Sequence, residues 1–111
     1  MAAADRRAVL VTGGAGYVGS HAAKALRQAG YHVVVYDNLS AGHRAAALGA
    51  PVIQGDVGDT DAVRRAIRES GAASVMHFAA WLSVADSVRD PIGYYRNNVA
   101  GTLATLEAMA A

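Results

Sequence analysis

The chain contains no cysteine in its 111 residues. That removes disulfides, thiolate zinc sites and thiol nucleophiles together, and fits a reducing compartment. An excess of charge is missing too: 10 basic residues stand against 9 acidic ones, for a net charge of +1. Without a basic footprint, neither a nucleic-acid backbone nor an anionic membrane is an expected partner. Long apolar runs are also lacking, since no stretch approaches the roughly 18 to 20 unbroken apolar residues of a membrane helix. Met1 to Arg7 place charges ahead of Ala8 to Thr12, superficially like a signal peptide, but that run is too short and breaks into glycine. Linkers, repeats and charge runs do not occur. The expectation is a cytoplasmic chain.

What is present is the composition of a folded domain, 53% hydrophobic and 17% charged. Ala8 to Val11 form a continuous apolar run suited to a parallel strand covered on both faces. From Tyr17 to Ala29, Val18, Ala22, Ala25, Leu26 and Ala29 recur at helical spacing, and Gly30 follows as a stop signal. His32 to Tyr36, Pro51 to Gln54 and Ser74 to Ala79 read as further strands. Ala41 to Leu48 and Thr60 to Glu69 read as the helices between them, the second capped by Asp59 or Thr60 with Ala62, Val63, Ala66 and Ile67 on one face. Val84 to Val88 suggests a helical turn. Pro91 then suits the first turn of a long helix from Ile92 to Ala111, in which Gly93 or Gly101 marks a close packing contact.

Strands alternating with helices predict an α/β fold with a doubly wound parallel sheet, strand order 3-2-1-4 and helices on both faces. Four strands are only part of such a sheet, and the fourth would be an unpaired edge. Residues 1–111 are therefore expected to be the N-terminal part of a Rossmann-type nucleotide-binding domain, with a second half and a substrate domain lying elsewhere.

At the junction of the first strand and helix stands Thr12-Gly13-Gly14-Ala15-Gly16-Tyr17-Val18-Gly19. Gly13 permits a tight turn, Gly16 lets backbone N–H groups approach a pyrophosphate, and Gly19 lets the helix lie close to the sheet. The helix N-terminus adds partial positive charge, so a diphosphate is favoured without a lysine or arginine. The second strand ends in Tyr36-Asp37, where a carboxylate accepts from ribose hydroxyls and repels a 2′-phosphate, favouring NAD over NADP. Arg44 nearby weighs the other way, and Asp37 with Asn38 serves equally well as a turn or cap. Asp56, after the third strand, faces the same crevice and suits the adenine amino group, with Val57 offering an apolar surface; a turn role for Asp56 stands beside this.

No catalytic constellation or metal site is visible. His21, His32, His43 and His77 lack ligand spacing and read as satisfied or exposed. Ser83 and Ser87 have no evident base. Tyr94 and Tyr95 are followed four residues on by Asn98 and Val99 rather than lysine, and both read as packing residues.

Taken together, Val9 to His21, Tyr36 to Ser40, Gly55 to Val57, His77 to Ala80 and the Tyr94-Tyr95-Arg96-Asn97-Asn98-Val99-Ala100-Gly101-Thr102 run resemble the extended short-chain dehydrogenase/reductases, and among them the nucleotide-sugar epimerases. The resemblance covers nearly the whole chain in order. It implies NAD held by Gly13, Gly16, Tyr17, Val18 and Gly19 at the pyrophosphate, and by Asp37, Asn38, Leu39 and Ser40 around the ribose. Asp56 and Val57 would meet adenine, Phe78, Ala79, Ala80 and Leu82 the nicotinamide side, and Asn97 the cofactor from the last helix. Leu82 departs from a lysine found there in some members, which weakens the specificity inference. The resemblance further implies a full-length homodimer that interconverts UDP-glucose and UDP-galactose, its Ser/Thr and Tyr-x-x-x-Lys machinery lying beyond Ala111. A nucleotide-sugar dehydratase or decarboxylase, or a stand-alone binding module, are the alternatives.

Overall fold

The apolar run at the start of the chain becomes strand β1, Ala8–Thr12, in a computed structural model that describes residues 7–40, 43–80 and 84–110. Its neighbours are β2, His32–Asp37, and β4, Ala72–His77, with β3, Val52–Gln54, beyond β2. All pairings are parallel, and the order is β3-β2-β1-β4, as the alternation predicts.

The period-two geometry of β1 and β2 divides the core in two. Val9, Val11, Val33 and Val35 point to one face, where Ala23 of helix α1, Tyr17–Gln28, and Ala47 of the 3₁₀ turn Arg44–Ala47 cover them. Leu10, Val34 and Tyr36 point to the other, beneath Val63 and Ala66 of α2, Thr60–Ser70, and Ala108 of the last helix. Helices thus cover both faces.

Local chemistry sets the ends of these helices. The N–H of Gly30, at φ +96°, bonds the Arg27 carbonyl, and the Tyr31 N–H bonds that of Leu26, closing α1. Asp59 caps α2 by accepting from the Ala62 N–H at 3.1 Å, and Gly71 ends it in the left-handed conformation. After α3, Val84–Arg89, Pro91 opens α4, Pro91–Tyr94, with Asp90 accepting from the Gly93 N–H at 3.0 Å. Helical backbone continues through a π turn, Tyr95–Ala100, into α5, Gly101–Ala110.

Several expectations are corrected. Strand β4 begins and ends two residues early, because Ala72 pairs with Ala8 while Phe78 and Ala79 turn toward Thr12 at the strand end. The buried face of α1 is Gly19 and Ala23, with Ala22 and Leu26 half-buried; Val18, Ala25 and Ala29 are exposed. Only a 3₁₀ turn forms within the expected helix Ala41 to Leu48, whose first two residues lie outside the described ones, as do Leu82 and Ser83. Tyr95 is not a packing residue: it is 70% exposed.

Candidate functional site

In an open parallel sheet, ligands bind beyond the carboxyl ends of the strands where the winding reverses. Here that point lies between β1 and β4, since the chain leaves β1 toward β2 and returns to the opposite side for β4. A cleft of about 340 Å³ opens there, walled by the loop after β1, the ends of β2 and β3, the segment after β4 and the π turn.

The glycine loop is held by its own backbone. Gly13 stands at φ +69°, and a Cβ on it would lie 2.7 Å from Ala79 N, so the turn after β1 can pass the segment after β4 only without a side chain. A Cβ on Gly19 would run into the Gly13 carbonyl, which fixes the approach of α1 to the loop. Gly16 differs. Its Cβ would meet only the Gly13 oxygen, at a tight 3.3 Å, a smaller conflict than at Gly13 or Gly19, and Gly16 lines the cleft.

Gly16 also begins α1 without a side-chain cap and without an acidic residue in the first turn. The first α-helical bond runs from Ser20 N–H to the Gly16 carbonyl, which leaves the N–H groups of Tyr17, Val18 and Gly19 ahead of it at the positive end of the helix dipole. Tyr17 and Val18 are exposed at the cleft, with His21 set edge-to-face against the Tyr17 ring at 4.8 Å.

Asp37 is buried at the end of β2. One carboxylate oxygen accepts from the Ala15 N–H at 3.0 Å and the other from Leu39 N–H at 2.8 Å. The turn role is therefore present, and it is spent on the cleft itself: each oxygen keeps a second lone pair. Asn38 likewise accepts from the Ser40 N–H at 2.9 Å.

Of the residues singled out in the sequence, Gly13, Gly16, Tyr17, Val18, Gly19, Asp37, Asn38, Ser40, Val57, Phe78, Ala79, Ala80 and Asn97 line this one cleft. Leu39 and Asp56 do not line it. Leu39, at φ +63°, packs toward the α1-side core, and exposed Asp56 accepts from the Gly58 N–H at 3.0 Å, forming the turn that was its second reading. Leu82 lies outside the described residues.

Three contributors went unread in the sequence. Tyr36 and Gly55 line the cleft as a pair: the Tyr36 hydroxyl donates to the Asp56 carbonyl at 2.8 Å, and a Cβ on Gly55 would strike that hydroxyl. Burial, reinforced by the charges of Asp59 and Asp56 against that of Arg65, pushes the Tyr36 phenol up to about 12, so it remains a donor. Gly14 is the third, since a Cβ there would meet Val35 at 2.8 Å. A tyrosine in an apolar strand and a second glycine in a glycine-rich loop carry no pattern that separates these duties from ordinary packing.

The histidines fall as expected, either exposed or bonded. His77 is half-buried between the hydroxyls of Thr12, at 2.6 Å, and Thr102, at 3.1 Å, and burial lowers its pKa. Among the described residues no three His, Asp or Glu side chains gather to hold a metal, and no helix is long and apolar enough to cross a membrane.

This architecture has close relatives. A UDP-glucose 4-epimerase from Rhizobium leguminosarum bv. trifolii is 45% identical over 103 residues, 93% of this chain and 32% of the relative. A UDP-arabinose 4-epimerase from Arabidopsis thaliana is 44% identical, covering 93% of this chain and 27% of its own. The crystal structure of a UDP-glucose 4-epimerase from Brucella ovis in complex with NAD superposes with a TM-score of 0.88 at 47% identity, over 92% of this chain and 31% of that one. The chain thus spans about a third of the length of the curated relatives it matches. Residues 9–111 match the family model as well, so the glycine loop, the reversed winding and the cleft they form are those of a member: the chain belongs to the NAD dependent epimerase/dehydratase family.

Proposed function

We propose that residues 1–111 are the NAD-binding part of a UDP-glucose 4-epimerase, the N-terminal portion of a Rossmann-type domain. The observation that carries this is the convergence, in one cleft at the reversal of the sheet, of a helix N-terminus without a side-chain cap and the glycines Gly13, Gly16 and Gly19 that line it. A diphosphate fits such a place by charge and by shape.

The rest of the lining suits the rest of a dinucleotide. The Asp37 carboxylate, already fixed by the Ala15 and Leu39 amides, has lone pairs left for ribose hydroxyls. Buried Val57 offers adenine an apolar surface, with Asp56 beside it for the amino group. Phe78, Ala79 and Ala80 form the wall toward the nicotinamide, and Asn97 reaches in from the π turn. NAD, when bound, supplies a reversible hydride acceptor for sugar C4. What these residues contribute is binding, orientation and exclusion of water.

The same reading makes the full-length protein a cytoplasmic homodimer acting on UDP-glucose and UDP-galactose. Ile92, Tyr95, Val99, Leu103 and Leu106 are each more than half exposed and recur at helical spacing, a stripe suited to the same stripe of a second copy.

Calorimetric titration of the purified protein with NAD and with NADP tests the cofactor assignment. Binding of NAD in preference to NADP is expected, and equal affinity would remove Asp37 from the ribose site.

A further inference from the structure

Thr12, His77 and Thr102 form one hydrogen-bonded chain across β1, β4 and the last helix, and its direction is fixed by its end. The Asn98 carbonyl can only accept, so the Thr102 hydroxyl donates to it at 2.6 Å. The Thr102 oxygen is then an acceptor for His77, whose Nε2 carries the hydrogen at 3.1 Å. A neutral imidazole has a single N–H. Its Nδ1 is therefore an acceptor, and the Thr12 hydroxyl, 2.6 Å away, donates to it. Thr12 Oγ1 accepts in turn from the backbone N–H of Phe78 at 3.1 Å.

Each partner adjoins a wall of the cleft. Thr12 is followed by Gly13, His77 by Phe78 and Ala79, and Thr102 grips the turn that holds Asn97, whose amide donates to Asn98 Oδ1 at 2.8 Å. We propose that His77 is a positioning residue for this cleft, its neutral Nε2–H form locking the glycine loop, the wall after β4 and the Asn97 turn into one rim. The proposal rests on the cleft being the NAD site.

A second proton on the ring would point at Thr12 Oγ1 and leave the Thr12 hydrogen without its acceptor, in a residue with no exposed surface. The groups its two nitrogens meet, Thr12 on β1 and Thr102 on the last helix, are uncharged, and burial is the cause of its lowered pKa. The locked form is thus the one present at neutral pH.

The test is NAD calorimetry on the purified protein from about pH 8 down through and below the ordinary histidine range, because burial lowers the pKa of His77, with His77→Gln and Thr102→Val alongside. The Gln amide can still donate toward Thr102 and cannot titrate. Wild-type affinity is expected to fall about three- to tenfold over that range, the worth of one net hydrogen bond. His77→Gln keeps the donor toward Thr102 but removes the Nδ1 acceptor of the Thr12 hydroxyl, so it should bind about three- to tenfold more weakly than the wild type near neutrality and stay flat with pH. Thr102→Val should bind about three- to tenfold more weakly throughout. Long-range ¹H–¹⁵N correlation spectra of the wild type should show the Nε2–H tautomer, and they decide the matter even if a variant fails to fold. An Nδ1–H tautomer, or a His77→Gln profile as pH-dependent as the wild type's, would overturn the proposal. Failure of the wild type to bind NAD near pH 8 would overturn the cofactor reading instead, while the tautomer would still report on the chain of bonds.

Discussion

Asp37 at the end of β2 holds the amide of Ala15, in the middle of the glycine loop, at 3.0 Å. The group proposed for the ribose is thereby also the group that shapes the loop proposed for the pyrophosphate. Asp37→Ala removes both, and because hydrogen bonds to a buried charge are worth about 1.5–3 kcal/mol, NAD affinity should drop at least about tenfold. Preference over NADP should narrow, since the repulsion of a 2′-phosphate goes with the carboxylate. Parallel titrations with the two cofactors measure this, and an unchanged preference would contradict it.

Gly16 and Gly19 predict opposite failures. Gly16→Val adds bulk at a residue that lines the cleft, against one tight contact with the Gly13 oxygen, so far-UV circular dichroism should stay close to the wild type, with at most a modest loss in melting temperature, while NAD binding is largely lost. Gly19→Ala collides with the Gly13 carbonyl and should lower stability by about 1–3 kcal/mol, the usual range for overpacking. If Gly16→Val still binds normally, the loop is an ordinary turn.

Gly55→Ala should unseat the Tyr36 hydroxyl from the Asp56 carbonyl. Chemical denaturation is expected to show a loss of about 1–3 kcal/mol. Combining it with Tyr36→Phe, which removes the nearest of the struck atoms though not the ring carbons behind it, should recover part of that loss; simple additivity of the two changes would show that they do not meet.

His77 makes stability depend on pH. Its folded pKa lies below the ordinary 6.5, so the unfolded chain takes up the proton first as pH falls. The contribution is complete above about pH 6.5 and is lost progressively below it, through the folded pKa. Melting temperatures should therefore decline less steeply on acidification in His77→Gln than in the wild type.

Residues 1–111 by themselves are expected to leave UDP-galactose unchanged even with saturating NAD. Tyr94 and Tyr95 have no lysine four residues on, and the single lysine, Lys24, lies on α1. General acid–base catalysis is worth about 10²–10⁴-fold, and residues 1–111 contain no Tyr-x-x-x-Lys pair to provide it. A coupled assay for UDP-glucose checks this. Turnover abolished by Tyr94→Phe or Tyr95→Phe would overturn it.

The parts of the fold legible in the sequence were those where a residue's type and its neighbours say the same thing. Val9 to Val11 can be read as a covered strand because both faces are apolar, and Asp59 as a cap because it precedes a helical face. The ends of β4 were not legible: Ala72 joins the sheet through its pairing with Ala8, a partner 64 positions away, and alanine has no strand preference to announce it. On α1, alanines lie all round the helix, so spacing alone did not separate buried Ala23 from exposed Ala25. The cleft was legible through its glycines and Asp37. Asp56 could not be resolved from type alone, since the features that suit a carboxylate to a ligand at a strand end also suit it to the Gly58 turn that it forms.

The π turn at Tyr95–Ala100 has a consequence for chain length. Such a turn amounts to one residue inserted into an α-helix, and each residue advances an α-helix by about 100°. Removing one residue would let the helix close regularly at small local cost, yet it would swing Asn97 and everything before it out of step with Thr102 and the face formed by Gly101, Ala104, Thr105 and Ala108. Arg96 and Ala100, both exposed, can change identity freely by comparison. For the gene, codon changes at Arg96 and Ala100 are forgiven where a three-base deletion in the same stretch is not.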